Sequence, residues 1–176
     1  MKQLALTLLA VIIGSLFVAC SDDDDNNVDT EFVATQSDLN AATNSIMTNV
    51  TGGGFSHGGT DPEGNDTYRD IFSNRTDLSS LPKGTIIAKK THARLDGDVK
   101  GDLMIAFAMV KREAGYDPDN QDWEWMKMPF DADNNYDTNP FGVIPDVSDT
   151  ENRGKLAGCI GCHNGAPGGD FTWAND

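Results

Sequence analysis

Close to the end of the chain, Cys159-Ile160-Gly161-Cys162-His163 sets two thiols three residues apart, with an imidazole directly after the second. On a helix this spacing brings both thiols onto one turn with the imidazole beside them. It is the attachment signature of c-type haem: each thiol adds across a porphyrin vinyl group and the adjacent imidazole reaches the iron. Cys159, Cys162 and His163 are therefore expected to hold a single covalent haem c, with His163 as the metal ligand. Paired cysteines serve two other chemistries. A redox Cys-x-x-Cys calls for a thioredoxin-like βαβ pattern, which this sequence lacks. A zinc site would need two more ligands, from a chain whose only other histidines are His57 and His92. Only residues 164–176 follow His163, too few to wrap a haem, so the far side of the cofactor must be supplied from upstream.

Haem c is attached after export, and the first residues carry an export signal of their own. Lys2 precedes an apolar stretch from Leu4 to Ala19, shorter than the roughly 20 residues of a membrane-crossing helix, and Cys20 follows the small residue Ala19. Residues 1–19 read as a signal peptide. Leu16-Phe17-Val18-Ala19-Cys20 resembles a bacterial lipobox, although Phe17 is unusual there, so Cys20 is the expected lipid attachment site. Each of the three cysteines then has a role, and none is left for a structural disulfide. Ser21 and the Asp22–Asp25 run open an acidic tether, assigned to residues 20–35, which cannot bury itself. It also resembles a surface-export signal of some Gram-negative lipoproteins. The expected location is the outer membrane, at the cell surface or else on its periplasmic face, with the lipid as the only membrane contact.

Loss of residues 1–19 removes Lys2 and no acid, so the formal charge moves from −15 to −16. Such a charge disfavours nucleic acid as a partner and leaves docking to a basic redox partner protein open. One domain is expected over residues 36–176. Leu39, Ala42, Ile46, Met47 and Val50 recur at helical spacing, so residues 37–50 read as an amphipathic helix capped by Thr35 or Ser37. Strands are expected at Thr67–Ser73, Thr85–Arg94, Leu103–Lys111 and Trp123–Met128, with a long polar surface excursion from Pro129 to Asp149. A second helix, capped by Ser148, Asp149 or Thr150, should run through Glu151, Leu156 and Ile160 to carry the haem cysteines. The fold class is α+β: an antiparallel β-sheet domain with an N-terminal helix and a C-terminal haem-binding helix. Asp131–Asp137 begins like a calcium loop but has Tyr136 where a glycine turn is required. Trp123, Trp125 and Trp173 read as core or haem-packing residues.

Several blocks in order resemble the cytochrome P-460 family, which includes the β-type cytochromes c′. They are Leu81-Pro82-Lys83-Gly84-Thr85-Ile86-Ile87-Ala88-Lys89, then Met109-Val110-Lys111 with Gly115-Tyr116-Asp117-Pro118 and Asp122-Trp123, then the late Cys-x-x-Cys-His run and Asp170-Phe171-Thr172-Trp173. The resemblance implies that Lys89 is the lysine bonded to a haem meso carbon in some members. Strand alternation independently favours Lys89 over Lys90, because Lys89 shares a face with Ile87 and Ala93 while Lys90 shares its face with His92 and Arg94. The resemblance also implies a distal role for Arg69. Where hydroxylamine-oxidising members carry a distal carboxylate, this sequence has Phe107, which can restrict access to the iron but cannot take a proton; Phe107 also suits a core position.

The expected function is a mono-haem c-type cytochrome with a five-coordinate haem that binds or detoxifies nitric oxide or related small nitrogen oxides. The alternatives are a hydroxylamine-oxidising enzyme with a lysine-crosslinked haem, and a six-coordinate electron carrier with His57, His92 or a methionine as sixth ligand. Monomer and homodimer both remain open.

Overall fold

Two short helices and six strands make up the regular structure, seen in a computed structural model that describes residues 29–46, 60, 64, 67–96, 99–129 and 138–166. In chain order the elements are α1 (Gln36–Asn40), β1 (Asn44–Ser45), β2 (Thr67–Ser73), β3 (Ile86–Leu95), β4 (Val99–Lys111), a 3-10 turn (Pro118–Asn120), β5 (Trp123–Pro129), β6 (Arg153–Gly154) and α2 (Ala157–His163). The strands form one antiparallel sheet in sequence order, so every neighbour in the chain is a neighbour in space. The four central strands follow the alternating runs of the sequence. β4 starts at Val99 rather than Leu103 because Val99 pairs with Leu95 at the hairpin tip.

The two helices depart from expectation, and for the same reason. α1 has the expected start, Thr35, whose side chain accepts from Asp38 N while Asp38 accepts from Thr35 N in a capping box. It ends after five residues instead of reaching Val50. Asn44 and Ser45 pair with Ser73 and Phe72, so the exposed edge of β2 captures the chain. At the other end, Asp149 does act as a cap, but of a turn: its carboxylate accepts from Asn152 N. Arg153 and Gly154 then pair with Met126 and Trp125, and the helix begins only at Ala157. In both places a sheet edge with unpaired backbone groups outcompetes a helix of modest propensity.

Alternation divides the apolar residues of the strands into two clusters. On one face, Ile86, Ala88, Ala106, Ala108, Val110, Met126 and Met128 meet Leu39 and Ala42 from the α1 region and Phe141. On the other, Ile71, Ile87, Met109, Trp123 and Trp125 meet Leu156, Cys159 and Ile160. Phe141 is 1% exposed, so the stretch from Pro129 to Asp149 is not a surface excursion throughout. Residues 29–35, read from the sequence as the end of the tether, pack on the domain: Phe32 N donates to Glu113, Asp29 pairs with Lys83 and accepts from Ala114 N, and Ala34 is buried. The ordered chain thus extends N-terminal to residue 36.

Cys20, His57, Asp131–Asp137 and Trp173 lie outside the described residues. No helix among the described residues is long and apolar enough to cross a membrane.

Candidate haem site

α2 brings Cys159, Cys162 and His163 together on one short helix. Leu156 O starts it by accepting from Cys159 N and Ile160 N at 2.9 and 3.0 Å. Leu156, Cys159 and Ile160 turn toward the sheet and Cys162 toward solvent. Both cysteines are free thiols. The imidazole of His163 packs on the indole of Trp125, with ring centroids 4.6 Å apart and planes at 57°.

Beneath the helix the strand register lays side chains out in rows. One row runs Ile71, Lys89, Phe107, Lys127; the adjacent row runs Ile87, Met109, Trp125, Gly154. Cross-strand partners project from the same face, so Lys89, Phe107 and Trp125 share the face on which α2 packs. Arg69, two residues before Ile71 on β2, shares it as well. The Lys89 ammonium stands 4.8 Å from the centroid of the Phe107 ring, a cation–π contact. Its neighbour Lys90 points to the other face, over the rings of Phe72 and Phe141 at 5.6 and 5.2 Å.

The electrostatics tie these side chains to the helix. Burial pushes the pKa of Lys89 down to about 8, the nearby Arg69 pushes the same way, and Cys162 and Cys159 oppose. Burial likewise pushes the Cys159 thiol up, while Lys89 and Lys127 oppose. Along β2, β5, β3 to Thr91 and β4 from Ile105, every charged residue on this face is a cation: Arg69, Lys89, Lys111 and Lys127. In a chain of net charge −15, that segregation makes one face of the sheet receptive to carboxylates.

The structure therefore gathers Cys159, Cys162, His163, Lys89, Arg69 and Phe107 about one face. It does not bring His92 there. That residue lies on the opposite face, with Nδ1 3.2 Å from Gly101 O and Nε2 3.4 Å from Asp70 Oδ2, so it is removed from the candidates for a sixth ligand. Met109 does lie on the helix-bearing face. Sequence reasoning named Trp125 only as a packing residue and missed its contact with His163. The signal was available, since Trp125 is in phase with Trp123, but the partner was not, because Arg153–Gly154 did not read as a strand.

The donor set matches haem c: two unbonded thiols on one turn, an imidazole beside them, and cations rather than acids below. Gly158 and Gly161 leave open space beside the helix, where an added Cβ would meet nothing within 4 Å. A family model for cytochrome P460 matches residues 54–174. The chain belongs to the cytochrome P460 family. No curated protein and no solved structure matches it. Membership makes this a haem cytochrome, and α2 is the element of the cytochrome P460 domain that has the chemistry to carry the cofactor.

Proposed function

We propose that this cytochrome carries one haem c through thioethers to Cys159 and Cys162, with His163 as proximal ligand, and that it binds or detoxifies nitric oxide. Addition of each thiol S–H across a vinyl double bond forms the link without any oxidant. A haem held there would supply an iron able to take a small ligand. Cys159 and Cys162 fix the cofactor to α2, Trp125 buttresses the His163 ring, and Phe107 limits water and bulky ligands. Arg69, Lys89 and Lys127 offset the negative charge of the haem carboxylates.

The observation that carries the reading is Phe107 beside Lys89, on a face where the charged residues of β2, β5, β3 to Thr91 and β4 from Ile105 are all cations. Hydroxylamine oxidation must shed protons to a base, whereas nitric oxide binding needs only access and an apolar wall. Titration of the reduced protein with nitric oxide, alongside an assay of hydroxylamine turnover, tests this. Tight binding with no turnover is expected; turnover without tight binding would overturn it. A hydroxylamine-oxidising, lysine-crosslinked haem is the second reading, favoured by the burial of Lys89 on the helix-bearing face. It predicts a strongly red-shifted Soret band that Lys89→Ala returns to an ordinary haem c spectrum and that Lys90→Ala leaves alone.

Export and lipid attachment at Cys20 belong to the same proposal, as does a place at the outer membrane. They rest on the signal-like residues 1–19 and the acidic run after Cys20. Cys20→Ser should move the protein from the membrane to the soluble fraction on cell fractionation.

A further inference from the structure

Behind the sheet, on the face away from α2, lies an ion cluster that the haem chemistry does not use. Glu124 of β5 accepts from Arg153 of β6 through both carboxylate oxygens, Nε to Oε1 at 2.8 Å and Nη2 to Oε2 at 3.5 Å. Arg112, just past β4, reaches Glu124 Oε2 through Nη1 at 3.2 Å. These three side chains are 3 to 4% exposed. Arg153 also donates to Pro145 O and Ala34 O, at 3.0 and 3.1 Å. Arg112 reaches Glu113 and Glu31 at the rim, at 3.1 and 3.0 Å, and stacks on Tyr116.

Two short routes lead from this cluster to His163. Glu124 is adjacent to Trp125, and alternation sends its side chain behind the sheet while Trp125 projects in front, against the His163 ring. Arg153 opens the second route. After it, Gly154 takes φ +117°, a conformation that favours glycine, and the chain rounds the sheet edge, so that Leu156 already packs on the front face and starts α2. The same carboxylate thus holds both the base of the haem helix and the strand residue that flanks its imidazole.

We infer that the Arg112–Glu124–Arg153 cluster is a positioning device for the proximal histidine, fixing the placement of α2 and of Trp125 relative to each other; this rests on the reading that α2 carries haem c. A buried cluster in which each charge meets an opposite charge at hydrogen-bond distance admits few alternative arrangements. An apolar contact at the same place would tolerate small slips of β6 along β5. Groups bonded to a metal-bound histidine orient it and tune the metal; this cluster acts one step further out, through Trp125 and the start of α2.

The test compares holoproteins. Glu124→Gln removes the charge and keeps the shape; Arg153→Lys keeps the charge and loses the two-point grip; Phe141→Ala destabilises the rear core while leaving all three charged side chains of the cluster in place. Haem stain, absorption spectrum and reduction potential are measured on each folded protein. Glu124→Gln is expected to retain covalent haem but to shift both spectrum and potential, with Arg153→Lys intermediate and Phe141→Ala at wild-type values despite a lower Tm. If Glu124→Gln does not fold, Arg153→Lys carries the test. Spectra and potentials identical across all folded variants would overturn the inference. Absence of covalent haem in the wild type would instead overturn the assignment of α2.

Discussion

The two faces of the sheet are made by alternate residues of the same strands, yet they are finished in different ways. The rear face is closed by the chain itself: Leu39, Ala42 and Phe141 meet a row of small and flexible side chains, Ala88, Ala106, Ala108, Met126 and Met128. On the front face, Leu156, Cys159 and Ile160 from the α2 region, together with Ile46 and Leu81, pack on Ile71, Ile87, Met109, Trp123 and Trp125, and Lys89 and Arg69 bring charge to that face. Small residues opposite a phenylalanine plug make a core whose energy is mostly apolar burial. The rear face therefore joins an apolar core to an ion cluster, whereas the front face sets aromatic rings and cations beneath the helix that carries the two cysteines.

The largest expected effect separates the faces outright. Cys159→Ala with Cys162→Ala should abolish covalent haem, read by haem stain on a denaturing gel, while circular dichroism still reports a sheet because the rear core is untouched. Stain that survives the double substitution would end the assignment of the front face to haem c.

Next comes the plug. Phe141→Ala empties the centre of the rear core and should cost about 3 to 5 kcal/mol of stability, measured by urea unfolding. The haem spectrum of the folded fraction should not move. A spectral change as large as that of a front-face variant would mean that the two faces are not separable.

A smaller effect, with a definite sign, belongs to Lys89. In the haem-free protein its pKa is near 8 when folded against 10.5 for the ordinary group. The unfolded chain therefore holds more protons between those values, and stability rises with pH across that window. Below pH 8 the buried charge costs roughly 3 kcal/mol. Lys89→Met should gain up to that amount at pH 7 in the haem-free double cysteine variant, and the gain should fade by about pH 10.5, near the ordinary lysine pKa. Lys90→Met, on the rear face and half-buried, should show a much weaker pH dependence. Equal behaviour of the two lysines would contradict their placement on opposite faces.

Much of this architecture was legible in the sequence because it depends on local spacing. Cys159, Cys162 and His163 sit on one turn by their separation alone, and Lys89 and Lys90 must face opposite ways on any strand. The alternating runs at Thr67–Ser73 and Trp123–Met128 gave strands nearly to the residue, since a half-buried strand writes a period of two into its own composition. Thr35, one of the two caps open to the sequence reading, likewise marks a helix start.

What the sequence could not announce was every feature that depends on a distant partner. Residues 37–50 have helical spacing, yet Asn44 and Ser45 are taken by the edge of β2. Arg153 and Gly154 are too short a run to read as a strand, and become one only beside Trp125 and Met126. The salt-bridged pairs at Glu124 join residues 12 and 29 positions away, and nothing in their local context marks them as buried. Local spacing fixes which way a side chain points along its own element. Which other element meets it is decided by how sheet edges and polar groups far apart in the chain find partners, and that is settled only when the whole domain closes.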